Sequence, residues 1–324
     1  MDSLPADHPQ SEPRPRLRTV FFGTGDIARP AFEALRQRPD IELIGLVTQP
    51  DKPVGRHQVL TPPRIKEDAL AHGIAVWQPE RAREFIDALA ALEADIYMVM
   101  AYGQILPQAL IDLPRQVCWN LHASLLPRHR GASPIQAALW SGDSETGVTV
   151  MHIARALDAG DLVYAEKMPL LGQETGGELH DQLALLAPVA MNRALDLWMA
   201  GSAPRVPQND ALVTTLGKLE RADGKINWAE SARHIERKVR AFDPWPGTFT
   251  RLPDGRTLKI FPPLEIHPEV GAPGSVQHAV SGQVLVGCGE QSVKLSLVQP
   301  EGKRPMPAAD FLRGYPLTVF ASDA

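Results

Sequence analysis

Three polar residues near the middle of the chain carry side chains that suit acyl transfer to an amine. Asn120 and His122 stand two positions apart at the end of the apolar run VCWNL. Because side chains alternate along a strand, both would face the same side. Asp158 follows in LDAGD, where a glycine permits a tight turn. The amide and the imidazole can donate hydrogen bonds to a developing oxyanion, while the carboxylate can orient the ring and favour its charged form.

The same residue types also have ordinary structural roles. An asparagine at a strand end commonly caps a turn, and a histidine is often simply hydrogen-bonded within the fold. An aspartate before Ala-Gly is a typical turn residue. The sequence pattern also leaves open whether His122 or Asp158 would take the proton of the attacking amine. The spacing therefore favours a catalytic group without excluding these alternatives.

Alternating strands and helices would place these residues on a sheet. Strands are predicted at residues 19–23, 41–48, 75–77, 95–100, 117–121, 148–153 and 162–170, and helices at 27–35, 62–72, 81–91, 132–140 and 179–199. This alternation predicts an α/β fold with a Rossmann-like parallel sheet covered by helices on both faces. Ligands bind at the carboxyl ends of the strands in such sheets, and Asn120 and His122 lie at such an end.

The second half of the chain has a different character. Residues 201–209 contain proline and glycine, and a helix is predicted at 231–242. Short strands are predicted at 248–252, 257–261, 283–286 and 293–298, separated by glycines, which indicates a small β-barrel or sandwich. We therefore expect a disordered tail at 1–17, an α/β domain at 18–200, a linker at 201–225 and a β-rich domain at 226–324.

Composition limits the functional classes. The 324 residues include 33 Lys plus Arg against 38 Asp plus Glu, for a formal net charge of −5. Any RNA contact is therefore expected at a local basic patch. Two cysteines, Cys118 and Cys288, form neither a disulfide framework nor a paired-cysteine zinc motif. Without an apolar stretch of about 20 residues, we expect no membrane span and a cytoplasmic location.

A glycine motif near the start points to a competing function. The sequence GTGDIA at residues 23–28 matches the dinucleotide-binding pattern between a strand and a helix, so an NAD-dependent oxidoreductase is an alternative. That fingerprint also needs an acidic residue at the end of the second strand. The strand ends in Val47-Thr48-Gln49, and the first acid is Asp51, inside a loop. A tight glycine turn that lets the first helix approach the sheet explains the motif equally well.

One long stretch resembles a known family. The sequence NLHASLLPRHRGASPIQAALWSGDSETGVTVM at 120–151, followed by LDAGD at 157–161, is similar to the signature of the folate-dependent formyltransferases. The resemblance implies that Asn120, His122 and Asp158 are the catalytic residues. It also implies that the donor 10-formyltetrahydrofolate is held by Ser124, Leu125, Leu126 and Pro127, and by the backbone around Met100 and Tyr102 in VMAYGQILP.

Further segments resemble the members of that family whose acceptor is initiator methionyl-tRNA. The sequence VTQPDKPVGR at 47–56 is similar to their inserted loop, which implies phosphate contacts from Lys52 and Arg56. The family usually continues with lysines, whereas this chain has HQV at 57–59. Matching segments continue at 223–228 (DGKINW), 240–247 (RAFDPWPG) and 302–314. The implied reaction is formylation of the methionyl α-amino group for translation initiation.

The resemblance carries other expectations. It implies an OB-like C-terminal domain that binds tRNA, for which a basic groove could be furnished by Arg256, Lys259, Lys294, Lys303 and Arg304. We expect no metal, because His122, His129 and His152 do not form a recognised ligand spacing. A monomer is expected. A nucleotide-amino-sugar N-formyltransferase, with the same donor and catalytic residues, remains an alternative.

Overall fold

The structure is a computed structural model that describes residues 15–55, 57–278 and 283–321. The chain forms two compact units, Met1–Trp119 and Asn120–Ala324. In the first unit the elements are β1 (Leu17–Gly23), α1 (Arg29–Gln37), β2 (Ile41–Val47), β3 (Lys52–Val54), β4 (Val59–Thr61), α2 (Arg64–Ala71), β5 (Val76–Trp77), α3 (Ile86–Ala90), β6 (Ile96–Met100) and α4 (Gln108–Ile111). Strand β7 (Val117–His122) begins in the first unit and ends in the second.

The first unit is built on a parallel sheet in the order β5-β2-β1-β6. Helix α1 buries Ala31, Phe32 and Leu35, which repeat at helical spacing, while its other face is polar. Each large apolar side chain buried in this way contributes about 1.5–3 kcal/mol. The ring of Phe32 meets the ring of Phe21 from β1 edge to face, with centroids 5.6 Å apart. These contacts hold helix α1 against strand β1.

The second unit begins with the end of β7 and continues with further helices and strands. Its next elements are α5 (Pro134–Ser141), β8 (Glu145–His152), β9 (Leu162–Pro169), α6 (Gly176–Met199) and α7 (Ala232–Ala241). Strands β8 and β9 pair antiparallel. Helix α6 starts at a capping box, in which Thr175 accepts from the Glu178 amide and the Glu178 side chain accepts from Thr175. It continues through Pro188 to Met199.

The end of the second unit is a β-rich body. It contains β10 (Thr248–Arg251), β11 (Thr257–Phe261), β12 (Glu265–His267), β13 (Val276–His278), β14 (Val284–Gly287), β15 (Ser292–Leu295), β16 (Leu297–Pro300), β17 (Met306–Pro307) and α8 (Ala308–Gly314). Two four-stranded antiparallel sheets result, in the orders β10-β11-β16-β17 and β12-β15-β14-β13. Apolar residues of both sheets, α7 and α8 share one core, in which Trp228 stacks on Phe320.

The predicted fold class is confirmed: a Rossmann-like α/β part precedes a domain of antiparallel strands. Two local predictions were wrong. The segment 293–298 is two strands, β15 and β16, separated at Ser296. The helix predicted at 81–91 begins as a 3-10 turn, Ala82–Phe85. Strands β3 and β4, which pair antiparallel as a hairpin, were not predicted. The hairpin strands are exposed on every residue, so they lack the alternating apolar pattern that marks a strand.

The predicted division of the chain into a tail, two domains and a linker stays a prediction. Residues 1–14 of the predicted tail lie outside the described residues. Among the helices of the described part, none combines the length and the apolar character that crossing a bilayer requires.

Replacing Gly147 by alanine tests how closely β8 and β9 are packed. A Cβ at this position would lie 2.0 Å from the carbonyl oxygen of Glu166, which is backbone and cannot move aside alone. We expect Gly147→Ala to lower the free energy of unfolding by about 1–3 kcal/mol, measured by urea denaturation. The control is Gly314→Ala at the end of α8, where a Cβ meets nothing within 4 Å. An equal loss in both variants would contradict the packing argument.

Candidate active site

His122, the last residue of β7, is buried with both ring nitrogens facing oxygen atoms. Its Nε2 lies 2.9 Å from the carbonyl oxygen of His129, and its Nδ1 lies 3.6 Å from Oδ2 of Asp158. A carbonyl oxygen only accepts, so Nε2 must carry the hydrogen of that bond. Nδ1 is then the ring atom without a hydrogen-bond partner in the described part of the chain, since its 3.6 Å separation from Asp158 is longer than a hydrogen bond. A substrate atom can therefore compete with Asp158 for Nδ1.

Asp158 is held in an unusual backbone conformation. Its φ of 51° lies in the left-handed region, which aspartate tolerates better than most residues but which still costs energy. Its Oδ2 accepts a hydrogen bond from the Gly131 amide at 2.8 Å, and the side chain is about 10% exposed. Gly160 allows the turn to close, because a Cβ there would lie 1.8 Å from the His152 carbonyl oxygen. The LDAGD turn therefore aims the carboxylate at His122.

Asn120 stands two residues before His122 on the same strand face and is half-buried. Within residues 15–55, 57–278 and 283–321, its side-chain amide has no hydrogen-bond partner. An amide at a strand end with unused donors can bind a ligand oxygen. The structure thus brings His122 and Asp158 together and leaves Asn120 available beside them. Their catalytic roles stay predictions.

The loop after β7 is fixed by its own polar groups. The hydroxyl of Ser124 donates to the carbonyl oxygen of Arg128 at 2.7 Å, and its own carbonyl oxygen accepts from the Thr149 hydroxyl at 2.6 Å. The Thr149 hydroxyl also accepts from the Leu126 amide. Ser124 therefore shapes the loop, and its side chain is completely buried. Any contact of this residue with a donor molecule would compete with these bonds.

A cavity of about 570 Å³ lies against this loop. Its walls include Leu125 and Leu126, and also His129, whose carbonyl oxygen binds the His122 ring. Charged residues surround the apolar walls: Arg128, Asp143, Glu145 and Lys167. A volume of this size lies within the range of small-molecule sites.

His129 itself belongs to a buried polar network that the sequence did not reveal. The hydroxyl of Thr214 accepts from the His129 amide at 2.9 Å, so its single hydrogen is free to donate to His129 Nδ1, 3.1 Å away. His129 Nε2 then donates to Asp143 Oδ2 at 2.7 Å. Arg128 donates to the other oxygen of Asp143. Histidine has two ring nitrogens, and both are used here to fix the backbone that carries the His122 acceptor.

Met100 and Tyr102 lie in the first unit, at and just beyond the end of β6. Both side chains are almost completely buried, and burial raises the pKa of Tyr102 to about 12. The Tyr102 ring packs edge to face on Phe22. Their side chains belong to the core, so a ligand at this edge would meet backbone, as the resemblance implies. The Tyr102 carbonyl oxygen already accepts from the Thr24 hydroxyl.

The glycine turn at 23–28 is closed by an internal contact. The amides of Thr24 and Gly25 both donate to the carbonyl oxygen of Ala101, at 3.2 and 3.4 Å. In a dinucleotide site, amides of such a turn bind the pyrophosphate. Here they are occupied, so the turn serves the packing of the fold, and the oxidoreductase alternative loses its main support.

The hairpin β3–β4 carries the predicted tRNA-binding loop. Lys52 is exposed on β3, whereas Arg56 lies outside the described residues. Val54, Val59 and Leu60 are 55%, 61% and 64% exposed, so the hairpin also presents an apolar surface.

The base of this hairpin is anchored by Asp51. Both of its carboxyl oxygens accept from Lys66 at 2.9 Å, and Oδ1 also accepts from the Gln78 amide at 2.6 Å. These bonds, from Gln78 first and then from Lys66, hold the pKa of the Asp51 carboxyl below its usual value. Gln78 also donates to the Gln49 carbonyl oxygen. No sequence pattern indicated this anchor, because Lys66 and Gln78 are distant from Asp51 in sequence.

The basic residues proposed for the C-terminal groove are only partly available. Arg256 pairs with Asp254, and Lys294 pairs with Glu265 across β12 and β15. Lys259, Lys303 and Arg304 are exposed and have no ion pair among the residues that the structure describes. The same described part of the chain contains no group of three or more His, Cys, Asp or Glu side chains arranged to hold a metal ion.

Known proteins are similar to this chain along most of its length. A family model described as formyl transferase matches residues 17–195, and a model of the formyl transferase C-terminal domain matches residues 218–316. A methionyl-tRNA formyltransferase of Akkermansia muciniphila is 50% identical over 307 residues, which cover 93% of this chain and 97% of that protein. A protein of the same name from Geobacter sulfurreducens is 41% identical, covering 93% of this chain and 95% of its own.

Solved structures are similar in fold. The sugar 3N-formyltransferase WlaRD superposes with a TM-score of 0.64 at 14% identity, covering 89% of this chain and 99% of that one. HypX from Aquifex aeolicus in complex with tetrahydrofolic acid gives a TM-score of 0.62 at 16% identity, covering 92% of this chain and 47% of its own. At these identities the comparison concerns the fold alone.

Asp143→Ala tests the network that fixes His129. The side chain of Asp143 is 17% exposed and serves both His129 and Arg128. Its removal leaves a buried histidine without its charged acceptor, and we expect a loss of about 2–3 kcal/mol in the free energy of unfolding. The control Arg128→Ala removes only a half-exposed ion pair, for which we expect about 0–1 kcal/mol. Equal effects in urea denaturation would refute the assigned network.

Proposed function

Because the chain belongs to the formyl transferase family, we propose that it transfers the formyl group of 10-formyltetrahydrofolate to the α-amino group of methionine on initiator tRNA. Relatives that are named methionyl-tRNA formyltransferase are 40–50% identical to this chain over more than nine-tenths of its length. The observation that carries the chemistry is the buried His122 ring with its Nδ1 3.6 Å from Asp158. The product is N-formylmethionyl-tRNA, the substrate for translation initiation.

The donor needs a site with apolar walls for its flat rings and a few polar groups for orientation. Leu125 and Leu126 offer apolar walls at a cavity of about 570 Å³, but Asn120, His122 and Asp158 do not line it. The proposed donor contact at these leucines therefore rests on the family resemblance. Ser124 and Pro127 shape the same loop, and the backbone at Met100 and Tyr102 is the further proposed contact. The bound donor supplies the formyl carbon and, after transfer, a folate nitrogen as leaving group.

The residues of the chain have separate tasks in the proposed reaction. As the methionyl amine adds to the formyl carbon, negative charge grows on the formyl oxygen. Asn120 donates to that oxygen through its unused amide, and His122 donates through Nδ1–H, since its Nε2 is bound to His129. Asp158 stabilises the charged ring and assists removal of the amine proton. Each donor to such an oxygen is worth about 10²–10³ in kcat.

The acceptor is proposed to meet the hairpin β3–β4 through Lys52 and Arg56, and the C-terminal domain through its remaining exposed basic residues. This fits a chain of net negative charge, because the tRNA contact is then local. Since one chain supplies both His122 and Asp158, we propose that it works as a monomer. The acceptor is made where translation starts, so we propose a cytoplasmic location.

His122→Ala and Asn120→Ala test the reaction directly. We expect kcat for charged initiator tRNA, with a labelled formyl donor, to fall about 10²–10³-fold or more in each, while tRNA affinity in filter binding stays the same. The control is His180→Ala, a partly exposed histidine on α6 that contacts Asp181. Unchanged turnover in His122→Ala would refute the assignment. Formylation of a nucleotide-linked amino sugar in place of tRNA would refute the proposed acceptor.

Lys52→Ala tests the acceptor surface. Loss of one phosphate contact should raise KM for tRNA severalfold with little change in kcat, and should reduce the slope of log affinity against log salt by about one unit. The control is Arg115→Ala, an exposed cation of the first unit that pairs with Glu93. If both variants show the same salt dependence as the unchanged protein, Lys52 does not contact phosphate.

A further inference from the structure

The segment between α6 and α7 is bonded to the loops that carry the catalytic pair. Val206 exchanges two backbone hydrogen bonds with Leu162, at 2.8 and 3.0 Å. Farther along, Arg130 donates from its amide to the Thr214 carbonyl oxygen at 2.9 Å. This segment therefore does more than join two domains, because it is bonded both to Leu162, just after the LDAGD turn, and to Arg130, in the loop after β7.

Gln208 lies between these two attachments and uses both ends of its side-chain amide. Its Nε2 donates to the carbonyl oxygens of Asp158 and Gly160, each at 2.8 Å. Its Oε1 accepts from Arg130 through Nε at 3.0 Å and Nη2 at 2.8 Å. The next residue after Arg130 is Gly131, whose amide binds the Asp158 carboxylate. Gln208 therefore completes a closed circuit of hydrogen bonds around Asp158.

The backbone of Asp158 needs such support. A non-glycine residue at a φ of 51° persists only when its surroundings determine its conformation. The carboxylate is held by the Gly131 amide, and the peptide that follows Asp158 is held on its amide side by a 3.3 Å bond from Ala159 to the Ala156 carbonyl oxygen. Gln208 binds the carbonyl oxygen of that peptide and the carbonyl oxygen of the peptide that follows Gly160, and so holds both. A change in either peptide would move the carboxylate away from His122.

We propose that Gln208 is a positioning residue for the formyl transfer: by binding the carbonyl oxygens of Asp158 and Gly160, it holds the Asp158 carboxylate against His122. This inference rests on the proposed function. Gln208 acts through Asp158 and itself touches neither substrate nor donor. Misplacement of a reacting group by about 1 Å costs on the order of 10²-fold in rate, so the effect is expected in kcat.

Gln208→Glu tests the donor role of the Gln208 side chain separately from its acceptor role. A glutamate keeps an acceptor for Arg130 but cannot donate to the two carbonyl oxygens, and it places negative charge against them. We expect kcat to fall about 10–100-fold with KM for tRNA unchanged. Gln208→Met, which loses both ends, should change kcat in the same direction. The control is Asn209→Ala, whose side chain is exposed and bonds only the Ala211 amide in the described residues.

A double-mutant cycle with Asp158→Asn separates positioning from general stability. If Gln208 acts through the carboxylate, Gln208→Glu costs at most about twofold in the Asp158→Asn background, measured in single turnovers. The proposal is overturned if Gln208→Glu lowers kcat equally in the unchanged protein and in Asp158→Asn. It is also overturned if Gln208→Glu leaves kcat of the otherwise unchanged protein the same. Gln208→Met provides the same comparison if the glutamate variant does not fold.

A second measurement does not depend on the substrate. Hydrogen exchange in a peptide covering residues 152–163 should become at least tenfold faster in Gln208→Glu and stay unchanged in Asn209→Ala. If exchange in Gln208→Glu equals that of the original protein, Gln208 does not hold the backbone at Asp158 and Gly160, and the proposal is overturned. If the original protein does not formylate initiator tRNA but exchange still responds to Gln208→Glu, the proposed function fails while Gln208 still holds this backbone.

Discussion

The bond from His122 Nε2 to the His129 carbonyl oxygen determines which ring nitrogen of His122 can meet a ligand. It commits one nitrogen to structure and leaves Nδ1 for chemistry, facing Asp158. That carbonyl is fixed in turn by the Thr214 hydroxyl and by the His129 ring on Asp143. The orientation of the His122 ring thus depends on a network of polar groups from three separate segments of the second unit.

The sequence predicted the fold class and placed Asn120 and His122 at one strand end, but it did not show that Asp158 lies beside them. Alternating strands and helices predicted the α/β part, and the period of two placed Asn120 and His122 on one face of β7. The glycine of LDAGD correctly indicated a turn, with Asp158 in the left-handed region and Gly160 packed on the His152 carbonyl. These features depend on local geometry and on steric limits, which neighbouring residues in the sequence determine.

The supporting contacts could not be predicted in this way, because they join residues that are far apart in sequence. Gln208 lies 50 positions from Asp158, and Thr214 lies 85 positions from His129. Both stand in the segment 201–225, for which the sequence predicted only a linker. Likewise Asp51 gave no indication of its bonds to Lys66 and Gln78. A polar side chain satisfied by distant backbone leaves no periodic pattern, so only the folded arrangement identifies its role.

The hairpin β3–β4 leaves Val54, Val59 and Leu60 more than half exposed, and Lys52 is the lysine that its strands carry. A partner that covers these side chains displaces the water ordered around them, at about 25 cal/mol for each Å² removed from solvent. Unlike the release of counterions from phosphates, this contribution persists when salt is added and weakens when the sample is cooled. With few lysines in the loop, association through the hairpin is therefore expected to tolerate salt and to be sensitive to cold.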